Sequence, residues 1–154
     1  MPLMTFRNFC VLLLPLMAFF SCAEREVLEV WPLHLRSGAP GEGDDAMLRG
    51  ELRGRMHGAV TVAEQAERLG HYYTVRWEDG SAAEGELLFE FQQGATGSRV
   101  KTMRHRIGAG EGSGKKEFLI LGEEYRKGGR VLAWRCRLFR EGREIASRQS
   151  YLWQ

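Results

Sequence analysis

Residues 129–153 read GRVLAWRCRLFREGREIASRQSYLW, and this stretch decides the fold. Glu141-Gly142 separates two runs in which apolar and polar residues alternate. An acidic residue followed by glycine suits a two-residue turn with positive φ, so the stretch is predicted to form one long β-hairpin. The register set by that turn pairs Leu138 with Ile145, Cys136 with Ser147, Trp134 with Gln149 and Leu132 with Tyr151.

This register gives the hairpin a dry face and a wet face. The dry face carries the paired residues named above, and the wet face carries Arg135, Arg137, Ala146, Arg148 and Ser150. Such a division is typical of outer strands in an antiparallel sheet. Two strands cannot bury the dry face by themselves, so a second sheet must cover it.

Alternating patterns predict further strands upstream. They lie at Met47–Met56, His71–Glu78, Glu86–Gln92, Arg99–Ile107 and Glu117–Leu121. Between them, Thr61-Val62-Ala63-Glu64 fits a capping box that starts a short helix over residues 62–69. About seven or eight short strands with little helix predict an all-β fold, a two-sheet antiparallel sandwich that is immunoglobulin- or fibronectin-III-like. Trp77 and Trp134 are expected between the sheets.

The N-terminal residues have the pattern of an export signal. A short segment containing Arg7 precedes an apolar run from Phe9 to Phe20, which is too short to span a bilayer but has the length of a signal-peptide core. Residues 1–22 are therefore predicted to be a signal peptide. Residues 23–46, rich in glycine and acidic residues towards their end, are predicted to be a tether, and residues 47–154 a single β-sandwich domain. Within the tether, Glu24 to Leu35 is either a short strand or a segment that packs loosely on the domain.

The run ends in Phe19-Phe20-Ser21-Cys22-Ala23, which resembles a bacterial lipobox. In that motif a small residue precedes a cysteine that is acylated, so Cys22 is the predicted lipidation site and the membrane a predicted partner. Phe19 and Phe20 depart from the usual lipobox residues. Ordinary cleavage after Ala23 is the alternative, because Ser21 and Ala23 satisfy the small-x-small rule. The expected location is the outer membrane or periplasm as a lipoprotein, or the periplasm or medium as a soluble protein.

Three blocks of sequence, residues 69–77, 89–102 and 129–153, resemble an uncharacterised group of small exported bacterial proteins. The resemblance covers most of residues 47–154 and implies one domain that continues to the C-terminus. It implies no catalytic or binding residues.

Charge and cysteine content argue against two classes of protein, those that bind a strongly charged partner and those held together by disulfides. One of the 22 basic residues, Arg7, precedes Cys22, which leaves 21 basic against 20 acidic residues and no strong electrostatic partner. A nucleic-acid partner is not expected in an exported protein. Of the three cysteines, Cys10 is expected to leave with the signal and Cys136 to be buried, so no disulfide framework is predicted.

No residue pattern predicts catalysis, a metal or a cofactor. The glycine-rich run ahead of Lys115-Lys116 comes close to a phosphate-binding loop, but Lys116 occupies the position that needs Ser or Thr. The four histidines lack metal-ligand spacing. Interleaved aromatic and basic residues do allow a ligand-binding surface, for which the candidates are Tyr72, Arg99, Lys101, Arg104 and Arg106.

These observations lead to two functional hypotheses. The first is a non-enzymatic, lipid-anchored β-sandwich that serves as an interaction or assembly module of the cell envelope and binds an envelope protein. The second is a module that binds an anionic polysaccharide or cell-wall glycan, or assists a hydrolase, through Tyr72 and the basic strand.

Overall fold

The computed structural model of this protein describes residues 26–36 and 46–153. The predicted signal peptide with Cys22 and the glycine-rich part of the tether, residues 37–45, lie outside the described residues. The rest of the chain forms two sheets with short helices at one end.

Seven strands of the described chain form the sandwich. They are β1 (Leu28–Leu35), β2 (Gly70–Glu78), β3 (Gly85–Gln93), β4 (Val100–Ile107), β5 (Ser113–Leu121), β6 (Val131–Arg140) and β7 (Arg143–Gln149). One sheet has the order β1-β2-β5 and the other β4-β3-β6-β7, with antiparallel pairing throughout. Relative to the immunoglobulin constant-domain arrangement, the fourth strand has joined the opposite sheet. The predicted sandwich is confirmed.

Three α-helices accompany the strands in the described ranges: α1 (Ala46–Met56), α2 (Val62–Arg68) and α3 (Gly122–Gly128). A single 3-10 turn covers Gly94–Thr96. The capping box that begins α2 is present as predicted, because the Thr61 side chain accepts from the Glu64 amide and Glu64 accepts from the Thr61 amide.

The core consists of the inward residues of β2, β3 and β6. Val75, Leu87 and Phe89 are fully buried, and Phe89 stacks on Phe118 across the two sheets with ring centroids 5.1 Å apart. Trp77 is buried between the sheets as expected, whereas Trp134 is only partly buried and packs at the margin of this cluster. On β2 and β3, the alternate side chains that were predicted to face the core do face it.

The C-terminal hairpin has the predicted turn. Glu141 and Gly142 have φ values of 50° and 75°, which a two-residue turn of this type requires at both positions. The register next to the turn is also as predicted, but Ile145 forms a bulge, after which Leu138 faces Ala146 and Cys136 faces Arg148. A one-residue shift exchanges the faces of every later residue. The predicted dry face is therefore wrong for β7.

A second irregularity changes the start of β6. Gln92 faces Ala133 and Gln93 faces Val131, so Leu132 is the extra residue and points away from the core with 51% of its surface exposed. Tyr151, which the predicted register placed opposite Leu132, is 99% exposed. The dry face of β6 is confirmed for Cys136 and Leu138, which are fully buried, and for Trp134, which is partly buried against the core. It is wrong for Leu132.

Two predicted segments have a different structure. Residues 47–56, expected as a strand, lie in helix α1, where Glu51 and Arg55 form an ion pair of 3.1 Å one turn apart. Residues 28–35, assigned to the tether with a short strand as one possibility, form strand β1, which pairs with residues 70–77 of β2. The alternation in α1 arises from glycines rather than from side chains that a sheet would bury, and Leu, Arg and Glu favour a helix.

One end of the sandwich, here called the hairpin end, contains the Glu141-Gly142 turn and the start of β1. Arg140 closes it: its guanidinium pairs with Asp79 at 2.8 Å and donates to the carbonyl oxygens of Ala83 and Glu111. Both partners of the ion pair are 6% exposed. These contacts join the loops that follow β2 and β4 to the last residue of β6.

Candidate functional site

The predicted ligand-binding tyrosine is not on the surface. Tyr72 is 5% exposed, its hydroxyl donates to the carbonyl oxygen of Arg68 at 2.8 Å, and the guanidinium of Arg55 lies 4.1 Å above its ring. Arg55 also pairs with Glu117 at 2.6 Å, which fixes α1 over this part of β2. Tyr72 therefore lacks the exposure that the predicted binding surface required, and it packs beneath Arg55.

The four predicted basic residues do not form one surface. Lys101 lies on the inward face of β4, where it donates to the buried side chain of Gln93 at 2.9 Å and pairs with Glu124. Arg104 and Arg106 are on the outward face, where Arg104 pairs with Glu86 at 3.3 Å. Arg99 precedes β4 and is exposed. Alternation along one strand separates these charges onto two faces.

Arg104 lines a groove of about 490 Å³ on the outward face of the four-stranded sheet, near the hairpin end. Its floor is Leu88 and Phe139, and its rim carries Glu84 and Glu141. Arg104 already has a carboxylate partner in this groove.

A smaller cleft of about 230 Å³ opens at the other end of the sandwich, between the last residues of β1 and the first residues of β6. We call it the histidine cleft. Its lining residues are Pro32, His34, His71, Tyr73, Arg130, Val131, Leu132, Trp134 and Ser150.

The two histidines are neighbours because β1 and β2 pair His34 directly with His71. Their rings stack with centroids 3.9 Å apart and planes 6° from parallel. The Nε2 atom of His34 is 2.8 Å from the hydroxyl of Tyr125 on α3. One wall of the cleft is therefore a rigid stack of flat rings held by strand pairing.

His71 is held in one tautomer. The amide of Val131 donates to its Nε2 atom at 3.1 Å, so the ring proton of the neutral imidazole lies on Nδ1. Burial lowers the pKa of His71 to about 3, and the neighbouring His34 and Arg130 add to this effect. The pKa of His34 is also lowered, first by burial and then by Arg130 and Arg36. His71 is therefore neutral throughout the physiological pH range.

The charged group of the cleft is Arg130. It is exposed, and within the described chain no carboxylate lies within ion-pair distance of its guanidinium. Tyr73, whose side chain is 2% exposed, has no hydrogen-bond partner for its hydroxyl among the same residues. Burial raises the pKa of Tyr73, so the hydroxyl remains a donor. The cleft thus presents a cation and a hydroxyl that are available to a ligand.

The loop that carries Arg130 is held in place by a buried side chain. Gln93 is fully buried and donates to the carbonyl oxygen of Gly129 at 3.0 Å. Gly128 packs so closely on Gln93 that a Cβ atom there would come within 2.2 Å of its Oε1 atom. The site is therefore preorganised by a buried amide that sequence patterns did not single out.

Trp134 also lines the cleft. Its ring centroid lies 5.6 Å from that of Tyr73 and 6.2 Å from that of Phe89. The backbone amide of Trp134 donates to the Ser150 hydroxyl oxygen at 3.0 Å, which brings the C-terminal residues to the rim of the cleft.

Sequence reasoning missed this site. The signal in the sequence was that His34 and His71 each occupy an alternate position shared with core-facing residues of their strand. Both side chains therefore lie on the inward face of adjacent strands. Alternation alone does not identify the neighbours, because the pairing of β1 with β2 was not predicted.

The described ranges also bear on metal sites and membrane spans. There, no group of three His, Cys, Asp or Glu side chains is placed to hold a metal ion. None of the helices in 26–36 and 46–153 has the length and apolar composition needed to cross a membrane. Comparisons of the chain with protein-family models, curated proteins and solved structures found no match.

Proposed function

We propose that this protein is a non-enzymatic, lipid-anchored module of the bacterial cell envelope, in the outer membrane or periplasm, and that it binds its partner through the histidine cleft. The proposal rests on the preorganised histidine cleft, where Arg130 is a cation with no carboxylate partner among the described residues. The cleft lies at one end of the sandwich, and the first strand begins at the other end.

The geometry of β1 supports this arrangement. Four residue steps separate Cys22 from Glu26, a reach of at most about 14 Å for an extended chain, so a lipid on Cys22 keeps the hairpin end close to the membrane. His34 lies six residues beyond Leu28 on β1, about 20 Å along the strand. An anchored molecule would therefore present the histidine cleft away from the bilayer.

The fixed state of the histidines favours recognition over catalysis. A general acid or base works best with a pKa near the operating pH, whereas the pKa of His71 is held at about 3 and its acceptor atom is occupied by the Val131 amide. Groups of this kind suit a site that orients a ligand.

Replacement of Cys22 with Ala tests the anchor. We expect the variant to leave the membrane fraction and to lose the mass of the acyl groups, since a multiply acylated cysteine binds a bilayer firmly. Cys10→Ala, in the same predicted signal peptide, is the matched control and should stay in the membrane. A Cys22→Ala protein that remains membrane-bound with unchanged mass would remove the lipid anchor from the proposal.

Photo-crosslinking in cells tests the binding role. A photoreactive amino acid at Leu132, which lines the cleft and is 51% exposed, should give adducts with envelope material. Ile145 on the same hairpin is 41% exposed but lies outside the cleft, so it is the control position. Equal adduct yields at both positions, or none at either, would contradict a binding role for the cleft.

Glycan binding is the second candidate function. The basic strand does not favour it, because Lys101 and Arg104 lie on opposite faces and already have acidic partners. The aromatic walls of the histidine cleft do favour it.

A further inference from the structure

The charged residues at the histidine cleft favour a negatively charged ligand. Arg130 lines it, and Arg36 follows β1 close enough to lower the pKa of His34. Among the described residues that line the cleft there is no Asp or Glu. Because the guanidinium of Arg130 has no described carboxylate partner, a negatively charged group is the ligand that it would hold best, and a carboxylate matches its two parallel N–H donors.

The volume and the aromatic lining of the cleft favour a ligand about the size of one sugar ring. Its volume of about 230 Å³ lies below the range of pockets for drug-sized molecules, which begins near 300 Å³. Trp134, His34 and His71 contribute aromatic rings to the lining. A single sugar ring that packs on one aromatic side chain fits this volume better than a larger ligand does.

The uncharged polar groups indicate hydroxyls on the ligand. Tyr73 offers a donor without a described partner, and Ser150, whose oxygen accepts from the Trp134 amide, still has its own proton to donate. One cation surrounded by several neutral hydrogen-bonding groups matches a molecule that has one negative charge and several hydroxyls.

We propose that the histidine cleft binds an acidic sugar residue of an envelope polysaccharide, with the sugar carboxylate on Arg130 and a face of the sugar ring against Trp134. This inference rests on the binding role proposed above for the cleft, but it does not depend on the lipid anchor.

The test uses the full protein as exported, purified in mild detergent, and follows the indole N–H signal of Trp134 by NMR. The probe is trigalacturonate, and its neutral methyl ester is the matched control. We expect trigalacturonate to shift this signal in a saturable way, and the ester to bind at least about tenfold more weakly because it lacks the charge. Arg130→Gln should weaken binding by a similar factor.

Arg143→Gln removes the same charge from the exposed hairpin turn at the other end of the sandwich, and it should leave the affinity unchanged. Equal binding of the ester, or an unchanged affinity in Arg130→Gln, would overturn the proposal. Acetate or triglutamate binding as tightly as trigalacturonate would reject a sugar ligand while keeping an anion-binding cleft. The absence of any shift with all of these probes would count against both the sugar and the binding role.

Discussion

The stability of the protein should fall as the pH is lowered from 8 to 5, and His71 should be the main cause. The ordinary histidine pKa of about 6.5 applies in the unfolded chain, whereas burial holds the pKa of His71 at about 3 in the folded protein. Between these values the unfolded state binds one proton more than the folded state. The free energy of unfolding therefore decreases by about 1.4 kcal/mol for each pH unit in this window.

The expected loss from pH 8 to pH 5 is about 2 kcal/mol for this one residue. It depends on the unfolded-state pKa alone, because His71 in the folded protein is still neutral at pH 5. His34 contributes with the same sign, since its pKa is also lowered. Carboxylates with lowered pKa values, such as Asp79 and Glu117, add their losses below about pH 4.5, outside the measured range.

Urea unfolding followed by tryptophan fluorescence at pH 8, 7, 6 and 5 measures this loss. His71→Gln keeps an oxygen that can accept from the Val131 amide but cannot titrate, so its free energy of unfolding should change much less over the same range. His57→Gln, at an exposed position, should retain the full pH dependence of the wild type. If His71→Gln loses stability as steeply as the wild type, then His71 is not the buried neutral group described here.

The remaining predictions concern the hairpin. Arg140→Leu leaves Asp79 buried without its partner and should lower the free energy of unfolding by about 3–5 kcal/mol. Arg143→Leu in the exposed turn is the control and should change it by less than about 0.5 kcal/mol. Equal effects of the two substitutions in urea unfolding would show that the ion pair does not stabilise the fold. Cys136 is fully buried with a pKa raised to about 12, so it should react with thiol reagents only in denaturant, and fast labelling of the native protein would place it at the surface. Gly142→Ala should cost about 1–2 kcal/mol because φ is 75°, and an unchanged midpoint in urea would argue against this turn.

Local chemistry predicted the turn and the strands on either side of it. The residue types of Glu141-Gly142 favour positive φ and therefore the turn. The alternation of Leu87, Phe89 and Phe91 with polar residues indicates which face of β3 is buried. The bulges at Leu132 and Ile145 could not be predicted, because they depend on how β6 packs between β3 and β7 and have no residue-type signature here. Each bulge reversed the faces of the residues beyond it.

The error at residues 47–56 has a different origin. Every second residue there is apolar or glycine, which imitates a strand, but the helix is stabilised by contacts that only the tertiary structure provides, such as that of Arg55 with Tyr72 and Glu117. This same helix covers the tyrosine that sequence reasoning placed on the surface.

The site was inaccessible to sequence reasoning because it is assembled from distant segments. His34, His71 and Arg130 meet only when β1 pairs with β2 and the buried Gln93 fixes the loop after α3. Residue spacing along the chain contains no information about these contacts. Cys22, in contrast, was predicted from a local motif and stays a prediction.

Recognition of a partner through Arg130 of the histidine cleft can be tested in cells by crosslinking. Cells that carry the photoreactive amino acid at Leu132 are irradiated in three backgrounds, unaltered, Arg130→Gln and Arg143→Gln, and the adduct yield is compared at equal protein levels. The yield should fall at least about fivefold with Arg130→Gln and stay unchanged with Arg143→Gln. The same yield in all three backgrounds would contradict it.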